Sequence, residues 1–595
     1  MENDQADSQL SPPGLAGPHS QIVVEDIILS NITDNRMALT RPVWISLFVA
    51  TAWMLLAFLC MWWQPILADE WDFYRSVTNW QQNRALIPHP QAYVHLLQLS
   101  IAILGPTVGA VRLVGVFSGV VNVWLVPVLV HFVWPAHAHQ SRMMVIGIWL
   151  IALSPLTLQN AMLLDIDNTL LVSVMTILVC VWAAVQSHSV WTRVVALAVL
   201  LAAALWVKLP TPPLLMGALG LYHLARREWT RAIEIVVTSS LGAAVFGATF
   251  AIYSHLTGYQ LAYFAPTFAR AGGVFNLREL VVRFPQGVGV FIMWLSLPLT
   301  ILLGVALAAS AWRIACRQAI PSDALSLYVV IVALFYPLVY VPAWGYPRYQ
   351  APLVPIISVL VAALLTPFTL NVSRPMSSWL AGTLGGILAF NLLVLPDPLW
   401  LIYRTTFEGD LFDVWRRLLA GLVVVAVLGL LTGLILLGGY IWARARQVPC
   451  GLMCMNLLGV LTIASLTTVS LAQITAPYST RYRYTYDYAD YLWSVRQVQS
   501  AGDSAYVLAI KEIWLESGLA GEEIYPYFCA SCAPNLLDVI RSRRIDVMAW
   551  TTKEDTRSSD VTANAEVIAT LDRCYTKFTR GVFIVYRLKP GVVCS

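Results

Sequence analysis

Apolar stretches long enough to cross a lipid bilayer recur along most of this 595-residue chain. Residues 43–63, 288–311 and 418–442 are examples, and about 20 apolar residues span the hydrocarbon core as an α-helix. Helices are expected because hydrocarbon offers a backbone no external hydrogen-bond partners. The chain is 58% hydrophobic and 12% charged, with a mean hydropathy of +0.68. One soluble core could not bury that much apolar surface, so the composition predicts a mainly α-helical polytopic membrane protein.

The apolar pattern predicts about thirteen spans. They are residues 41–63, 108–134, 143–158, 167–185, 190–207, 212–224, 232–256, 288–311, 325–340, 351–366, 378–395, 418–442 and 452–472. The chain then divides into a flexible cytoplasmic segment at 1–41, a transmembrane domain at 42–475 and a soluble domain at 476–595. The first segment lacks the pattern of a cleavable signal peptide, so the first span is expected to remain as an anchor.

Positive charges favour the cytoplasmic ends of spans. With the N-terminus in the cytoplasm, alternate loops or their edges carry Arg36, Arg41, Arg142, Arg193, Arg226, Arg227, Arg231, Arg313, Arg317, Arg374, Arg444 and Arg446. The outer loops are then 64–107, 154–164, 208–211, 257–287, 341–350 and 396–417. An odd number of spans places the C-terminal domain outside the cytoplasm. The pattern predicts a multi-pass membrane protein.

Short strand patterns and an amphipathic helix alternate in the C-terminal domain. Strands are predicted at 505–510, 545–550 and 581–588, with a helix at 535–543, which makes a small extracytoplasmic α/β domain. No catalytic constellation stands out there, so the domain is interpreted as a lid or a platform for the acceptor. Its four cysteines favour disulfides of open connectivity, with a zinc or redox site at the Cys-x-x-Cys pair as the alternative. These cysteines are Cys529, Cys532, Cys574 and Cys594.

Two pairs of acidic residues lie in outer loops. Asp69 and Glu70 follow the first span, where partial desolvation of a carboxylate raises its proton affinity and suits a general base. Asp165 and Asp167 precede an apolar helix on the same membrane side. Both pairs have a simpler interpretation, as a solvated turn or as acids that stabilise a helix start. If they converge, they could position an acceptor or hold a divalent cation through oxygen ligands.

Two cations stand at outer ends of spans, where the topological bias does not favour them. Lys208 lies in Trp206-Val207-Lys208-Leu209-Pro210, and Arg348 follows Tyr346-Pro347. Such cations beside aromatic residues and prolines are candidates for binding a lipid phosphate. Snorkelling of the long side chains to headgroups is the alternative.

The order of these features resembles the GT-C class of membrane glycosyltransferases, in the branch of the bacterial protein O-mannosyltransferases and the lipid A aminoarabinose transferase. The resemblance covers roughly the first two-thirds of the chain and is strongest from Asp69 to Asp167. Its successive marks are Asp69-Glu70, Pro88-His89-Pro90-Gln91-Ala92-Tyr93, Gly105-Pro106, Val111-Arg112-Leu113, Ser154-Pro155, Asp165-Ile166-Asp167, Lys208-Leu209-Pro210 and Tyr346-Pro347-Arg348-Tyr349.

The resemblance implies an inverting transfer of a sugar from a polyprenyl-phosphate donor to a lipid, glycan or protein acceptor. Asp69 would be the base. Glu70 and one of Asp165 or Asp167 would position the acceptor or the sugar. His89 and Tyr93 belong to the same positioning set. Lys208 and Arg348 would stabilise the departing phosphate together with Tyr346, and at lower rank with Arg270, Arg278 and Arg283. The bacterial branch also implies a plasma (inner) membrane. No cofactor is firmly implied and no metal ligand is assigned.

Two other classes of protein compete with this interpretation. A transporter or flippase would carry charges near the membrane midplane and commonly an internal repeat. No repeat is evident, and the acids gather in outer loops instead. A non-catalytic scaffold would leave Asp69, Glu70 and Arg348 unexplained. The chain departs from the family pattern in its His-Pro-Gln sequence at 89–91 and its doubled acid at 165 and 167, which leaves the acceptor geometry open.

Overall fold

The structure of the protein is a computed structural model. It describes residues 39–62, 68–78, 80–83, 87, 89–105, 107–135, 138–164, 169–264, 295–336, 347–369, 374–394, 414–475, 488–524, 527, 533–551, 564–592 and 594. The compact part of the chain begins at Arg41 and contains both the membrane helices and the C-terminal sheet.

All regular secondary structure in the described part of the membrane domain is helical. In chain order they are α1 Arg41–Met61, α2 Ala68–Thr78, α3 Trp80–Asn83, α4 Ala92–Leu104, α5 Val108–Val133, α6 Gln140–Ala152, α7 Pro155–Met162, α8 Thr169–Ala184, α9 Val190–Val207, α10 Thr211–Ala225, α11 Trp229–Thr257, α12 Leu297–Ala315, α13 Pro321–Phe335, α14 Val354–Thr369, α15 Arg374–Val394, α16 Val414–Ala445 and α17 Cys450–Thr475. Short 3-10 segments occur at Val185–Ser187, Leu261–Phe264 and Pro347–Leu353.

Each of the thirteen predicted apolar segments overlaps one of these helices or, for 143–158, the pair α6 and α7. Within the described residues, eight helices are long and apolar enough to cross a membrane, and a ninth span is added if that bent pair counts as one. Shorter apolar helices include α4 and α13. The chain is an integral multi-pass membrane protein, as its composition predicts.

Local sequence explains where several helices begin and end. Thr107 caps α5, because its hydroxyl accepts a hydrogen bond from the Ala110 amide at 3.2 Å. Gly105, with a φ of 89°, ends α4. Pro155 begins α7, and the axis bends by 54° between α6 and α7. Proline at a first helical position costs no hydrogen bond, but it cannot continue the preceding helix.

Helix α5 packs against α1, α4, α6, α7 and α8. Small residues permit these close contacts, since a Cβ at Gly115 would lie 2.1 Å from the Ala161 carbonyl oxygen of α7. Polar side chains add hydrogen bonds between α5 and α8, where Ser173 donates to the Asn122 side-chain oxygen at 2.8 Å. Large apolar side chains such as Phe48 and Leu59 of α1 remain exposed on the outer surface, where lipid would contact them.

The C-terminal domain contains a five-stranded sheet of order β2-β1-β3-β5-β4. Its strands are β1 Val507–Ala509, β2 Gly521–Glu523, β3 Val547–Thr551, β4 Tyr575–Arg580 and β5 Phe583–Leu588. Its helices are α18 Tyr488–Gln499, α19 Lys511–Ser517, α20 Ala533–Ser542 and α21 Ala565–Cys574. Strand β1 is parallel to β2 and β3, whereas β5 is antiparallel to β3 and β4. The predicted α/β domain is confirmed, with the predicted strands at β1, β3 and β5 and the predicted helix at α20.

One disulfide joins Cys574, the last residue of α21, to Cys594 near the C-terminus. It connects the end of the chain to the buried core of the sheet domain, to which both cysteines belong. Cys529 and Cys532 lie outside the described residues, so the zinc or redox alternative for that pair stays a hypothesis.

Candidate active site

The predicted base lies in a short helix that follows the first span. Asp69 and Glu70 are the second and third residues of α2, and the structure describes their backbone. Acids are favourable in a first helical turn, where the helix dipole is positive. The helix therefore begins where the sequence placed the acid pair, immediately beyond α1.

An apolar cluster packs against one side of α2. Phe73 of α2 packs edge-on against Tyr93 of α4, with ring centroids 5.6 Å apart. The cluster also contains Leu164, and Leu170 packs against it. Asp165 and Asp167 lie outside the described residues, but the residues that flank them, Leu164 and Leu170, contact the cluster beneath α2. The chain thus contacts this cluster on both sides of the second acid pair.

Tyr93 and His89 lie in the segment that the sequence singled out between the first two spans. Tyr93 is buried, and its ring supports α2. The His89 carbonyl oxygen accepts a hydrogen bond from Gln91 Nε2 at 2.8 Å and lies 3.0 Å from the Tyr259 hydroxyl. The backbone of this segment is therefore held by side chains that sequence reasoning did not select.

Gln91 is the centre of that network and is fully buried. Its Oε1 accepts a hydrogen bond from Trp80 Nε1 at 3.1 Å, and its Nε2 lies 3.0 Å from the Tyr259 hydroxyl. Nearby, His95 of α4 shares a hydrogen bond of 2.7 Å with Tyr253 of α11. These contacts join the segment between α1 and α5 to the end of α11. The sequence offered one signal for Gln91: its amide side chain stands between Pro90 and the start of an apolar helix.

The two predicted phosphate ligands converge on one aromatic ring. Lys208 follows α9 and is 1% exposed, and its Nζ lies 4.3 Å from the centre of the Tyr349 ring. The Arg348 guanidinium carbon lies 5.6 Å from the centre of the same ring. Both separations fall within the range of cation–π attraction. The snorkelling alternative does not describe Lys208, because its side chain is buried.

A second tyrosine supports the first. Tyr336 stacks on Tyr349 with ring centroids 5.0 Å apart and planes 15° from parallel. Its hydroxyl shares a hydrogen bond of 2.5 Å with Thr211 at the start of α10. The Lys208 Nζ lies 5.3 Å from the Tyr336 ring centre. Sequence reasoning missed Tyr336, although Tyr349 stands in the motif that it quoted.

Arg348 lies in the 3-10 segment Pro347–Leu353, which packs against α7 and α8. These two helices flank the chain segment that carries Asp165 and Asp167. The same two helices lead to Leu164, which belongs to the apolar cluster of Phe73 and Tyr93, and to Leu170, which packs against it. Arg270 and Tyr346 lie outside the described residues, as do Arg278 and Arg283. In the described part of the chain, no three His, Cys, Asp or Glu residues gather in a way that could hold a metal ion.

Solved structures share this architecture, although no protein-family model and no curated protein sequence matches the chain. ArnT from Cupriavidus metallidurans bound to undecaprenyl phosphate superposes with a TM-score of 0.53 at 14% identity, over 93% of this chain and 99% of that one. The apo ArnT structure from the same organism gives 0.52 at 15% identity, over 91% and 97%. Likeness at this identity establishes the fold, and the chain has the GT-C-like fold that its sequence motifs predict.

Proposed function

We propose that the protein is an inverting glycosyltransferase that moves a sugar from a polyprenyl-phosphate donor to an extracytoplasmic acceptor. The observation that carries this proposal is the pair Lys208 and Arg348 around the Tyr349 ring. Two cations on one buried ring create a positive potential suited to an anionic phosphate. In the ArnT structure of the same fold, the bound lipid is a polyprenyl phosphate, undecaprenyl phosphate.

Asp69 accepts the acceptor's proton in this mechanism. As the hydroxyl or amine loses that proton to the carboxylate, its oxygen or nitrogen bonds to the anomeric carbon. The bond from that carbon to the phosphate oxygen breaks, and its electron pair leaves with the polyprenyl phosphate. Attack from the face opposite the phosphate inverts the anomeric configuration. A phosphate is a competent leaving group, so no strong general acid is required.

Lys208 and Arg348 stabilise the charge that grows on the departing phosphate, and Arg270 and Tyr346 are assigned to the same anion site. Glu70 and one of Asp165 or Asp167 position the acceptor or the sugar. His89 belongs to this positioning set, and Tyr93 contributes through the helix on which it packs. This mechanism applies in the same way to a hexose and to a pentose donor.

The membrane orientation is part of the proposal. The C-terminal domain lies outside the cytoplasm of a bacterial plasma (inner) membrane, with domain boundaries near 41 and 475. Its Cys574–Cys594 disulfide supports this side, because disulfides persist in oxidising compartments. The acid pair and the cation pair then face the same outer compartment as the acceptor.

Lipid analysis of a strain that lacks the protein tests the function. We expect a polyprenyl-phosphate-linked sugar to accumulate, and the wild-type chain to remove it. Asp69→Asn should fail to do so, because loss of a general base typically lowers kcat about 10²- to 10⁴-fold. Asp572→Asn, which changes an exposed acid of the C-terminal domain, is the control and should restore the wild-type lipid profile.

Full transfer by Asp69→Asn would remove Asp69 from the role of base. A strain with no accumulated lipid-linked sugar, together with vectorial solute flux in proteoliposomes, would instead support a transporter.

A further inference from the structure

The C-terminal domain contacts the helix that carries the predicted base. The Arg75 guanidinium carbon of α2 lies 5.0 Å from the centre of the Trp514 ring of α19, and the two helices pack together. This is the geometry of a cation–π contact. Trp514 also packs on its own sheet, since a Cβ at Gly521 of β2 would lie 3.1 Å from the indole Cδ1. The indole therefore joins the sheet domain to α2.

Glu516, also on α19, is influenced by a charge of the membrane domain. The Glu516 carboxylate accepts a short hydrogen bond from the Tyr491 hydroxyl of α18. Burial raises the pKa of Glu516, whereas that hydrogen bond and the positive charge of Arg112 oppose the rise. Arg112 lies in the second turn of α5 and is buried. The Glu516 carboxylate thus lies in the electrostatic field of Arg112.

Arg112 in turn fixes the end of α1. Its Nη1 donates a hydrogen bond of 2.7 Å to the carbonyl oxygen of Trp62. The Trp62 ring packs on α5, where a Cβ at Gly109 would lie 2.6 Å from it. Trp62 precedes α2 and Arg75 lies within it, so these two residues bracket Asp69 and Glu70 in the chain. Arg75 contacts Trp514, and Trp62 accepts the hydrogen bond from Arg112.

We infer that Trp514 is a positioning residue, through which the C-terminal domain holds α2 and its acid pair in place. Helix α2 has 11 residues and is largely polar, and a helix this short is marginal without tertiary contacts. The apolar cluster of Phe73 and Tyr93 packs against one side of α2, and α19 of the sheet domain also packs against it. The consequence for catalysis rests on the proposed function, whereas the contact itself does not.

Hydrogen exchange of the full-length protein in lipid nanodiscs tests the contact directly. In Trp514→Ala we expect amides of 68–78 to exchange about 2- to 30-fold faster, the ratio that matches loss of a cation–π contact. Trp514→Tyr keeps an aromatic face and should stay near wild type, and amides of β3 and β5 should stay protected in every variant.

Two matched controls lie elsewhere on the same domain. Ile568→Ala removes an exposed apolar side chain of α21, and Glu522→Gln breaks the surface ion pair with Arg543, whose atoms are 2.9 Å apart. Neither should change exchange at 68–78. Unchanged exchange there in Trp514→Ala would overturn the inference. If Trp514→Ala does not fold, Arg75→Gln removes the same contact from the other side.

Sugar transfer by the same variants separates positioning from acceptor docking. A positioning role predicts a lower kcat with little change in acceptor KM, and recovery in Trp514→Tyr. A raised acceptor KM at unchanged kcat would assign α19 to acceptor binding and contradict the inference. A wild-type protein that transfers no sugar would contradict the proposed function instead, while the exchange data would still decide whether α19 holds α2.

Discussion

A lysine side chain that is 1% exposed at the end of a membrane helix is costly unless its charge is compensated. At Lys208 the rings of Tyr349 and Tyr336 supply part of that compensation, because their negative faces lie 4.3 and 5.3 Å from the ammonium nitrogen. Arg348 lies at the edge of the same ring. A phosphate bound as we propose would interact with both cations.

At this scale we predict that Lys208→Met and Arg348→Gln each weaken binding of undecaprenyl phosphate to the purified protein. A charge-assisted hydrogen bond contributes about 1.5–3 kcal/mol, so each Kd should rise about 10- to 100-fold. Native mass spectrometry or thermal-shift titration measures this. Lys577→Met is the control, since Lys577 also lies over a tyrosine ring, at 5.7 Å from Tyr586, but on the exposed strand β4. Equal affinity in all four proteins would reject the anion site.

Helices in this protein approach each other where side chains are smallest. Gly115 of α5 faces the backbone of Ala161 in α7, and its own carbonyl accepts a hydrogen bond from the Thr169 hydroxyl of α8 at 2.5 Å. These contacts join α5 to the end of α7 and to the start of α8, the two helices between which the second acid pair lies in the sequence. The packing of α5 on α7 therefore bears on the site as well as on stability.

We predict that Gly115→Ala destabilises the protein by about 1–3 kcal/mol, the usual cost of overpacking, because the new Cβ would clash with the Ala161 carbonyl. Thermal unfolding in detergent should show a lower Tm. Gly247→Ala is the matched control, since no atom lies within 4 Å of its new Cβ in α11. A Tm for Gly115→Ala equal to that of wild type would show that α5 and α7 are not in close contact.

The whole molecule combines a bundle of membrane helices with a sheet domain that touches it through α19. In the inference above, this contact lets the C-terminal domain position α2, which is a different role from the lid or acceptor platform expected from sequence. It also requires the domain to lie on the same membrane side as the end of α1 and the start of α5.

Labelling with a membrane-impermeant maleimide tests this orientation. With the other unpaired cysteines replaced by serine, Ile568→Cys on α21 should react in intact cells. The natural Cys316, which is exposed after α12 and beside basic residues, should react only after permeabilisation. The reverse pattern would place the C-terminal domain in the cytoplasm and contradict the proposed orientation.

Helix positions were predictable because hydrophobic length is a local property of the chain. The predicted span 190–207 and helix α9 have the same bounds. The bend at Pro155 was not predicted, since a proline can either begin a helix or bend one. Strands β2 and β4 were missed because they are sheet edges, where short or exposed strands carry little apolar alternation.

Sequence by itself determined the membrane class, the order of the helices and the identity of the candidate acids and cations. Composition, charge and short motifs are properties of the chain that do not depend on how it folds. Only the tertiary structure decided which of them meet. Lys208 and Arg348 share a ring, Gln91 bonds to Tyr259 168 residues away, and Trp514 reaches Arg75 across the domain boundary. Such contacts depend on how distant helices pack, and no local pattern in the chain encodes that packing.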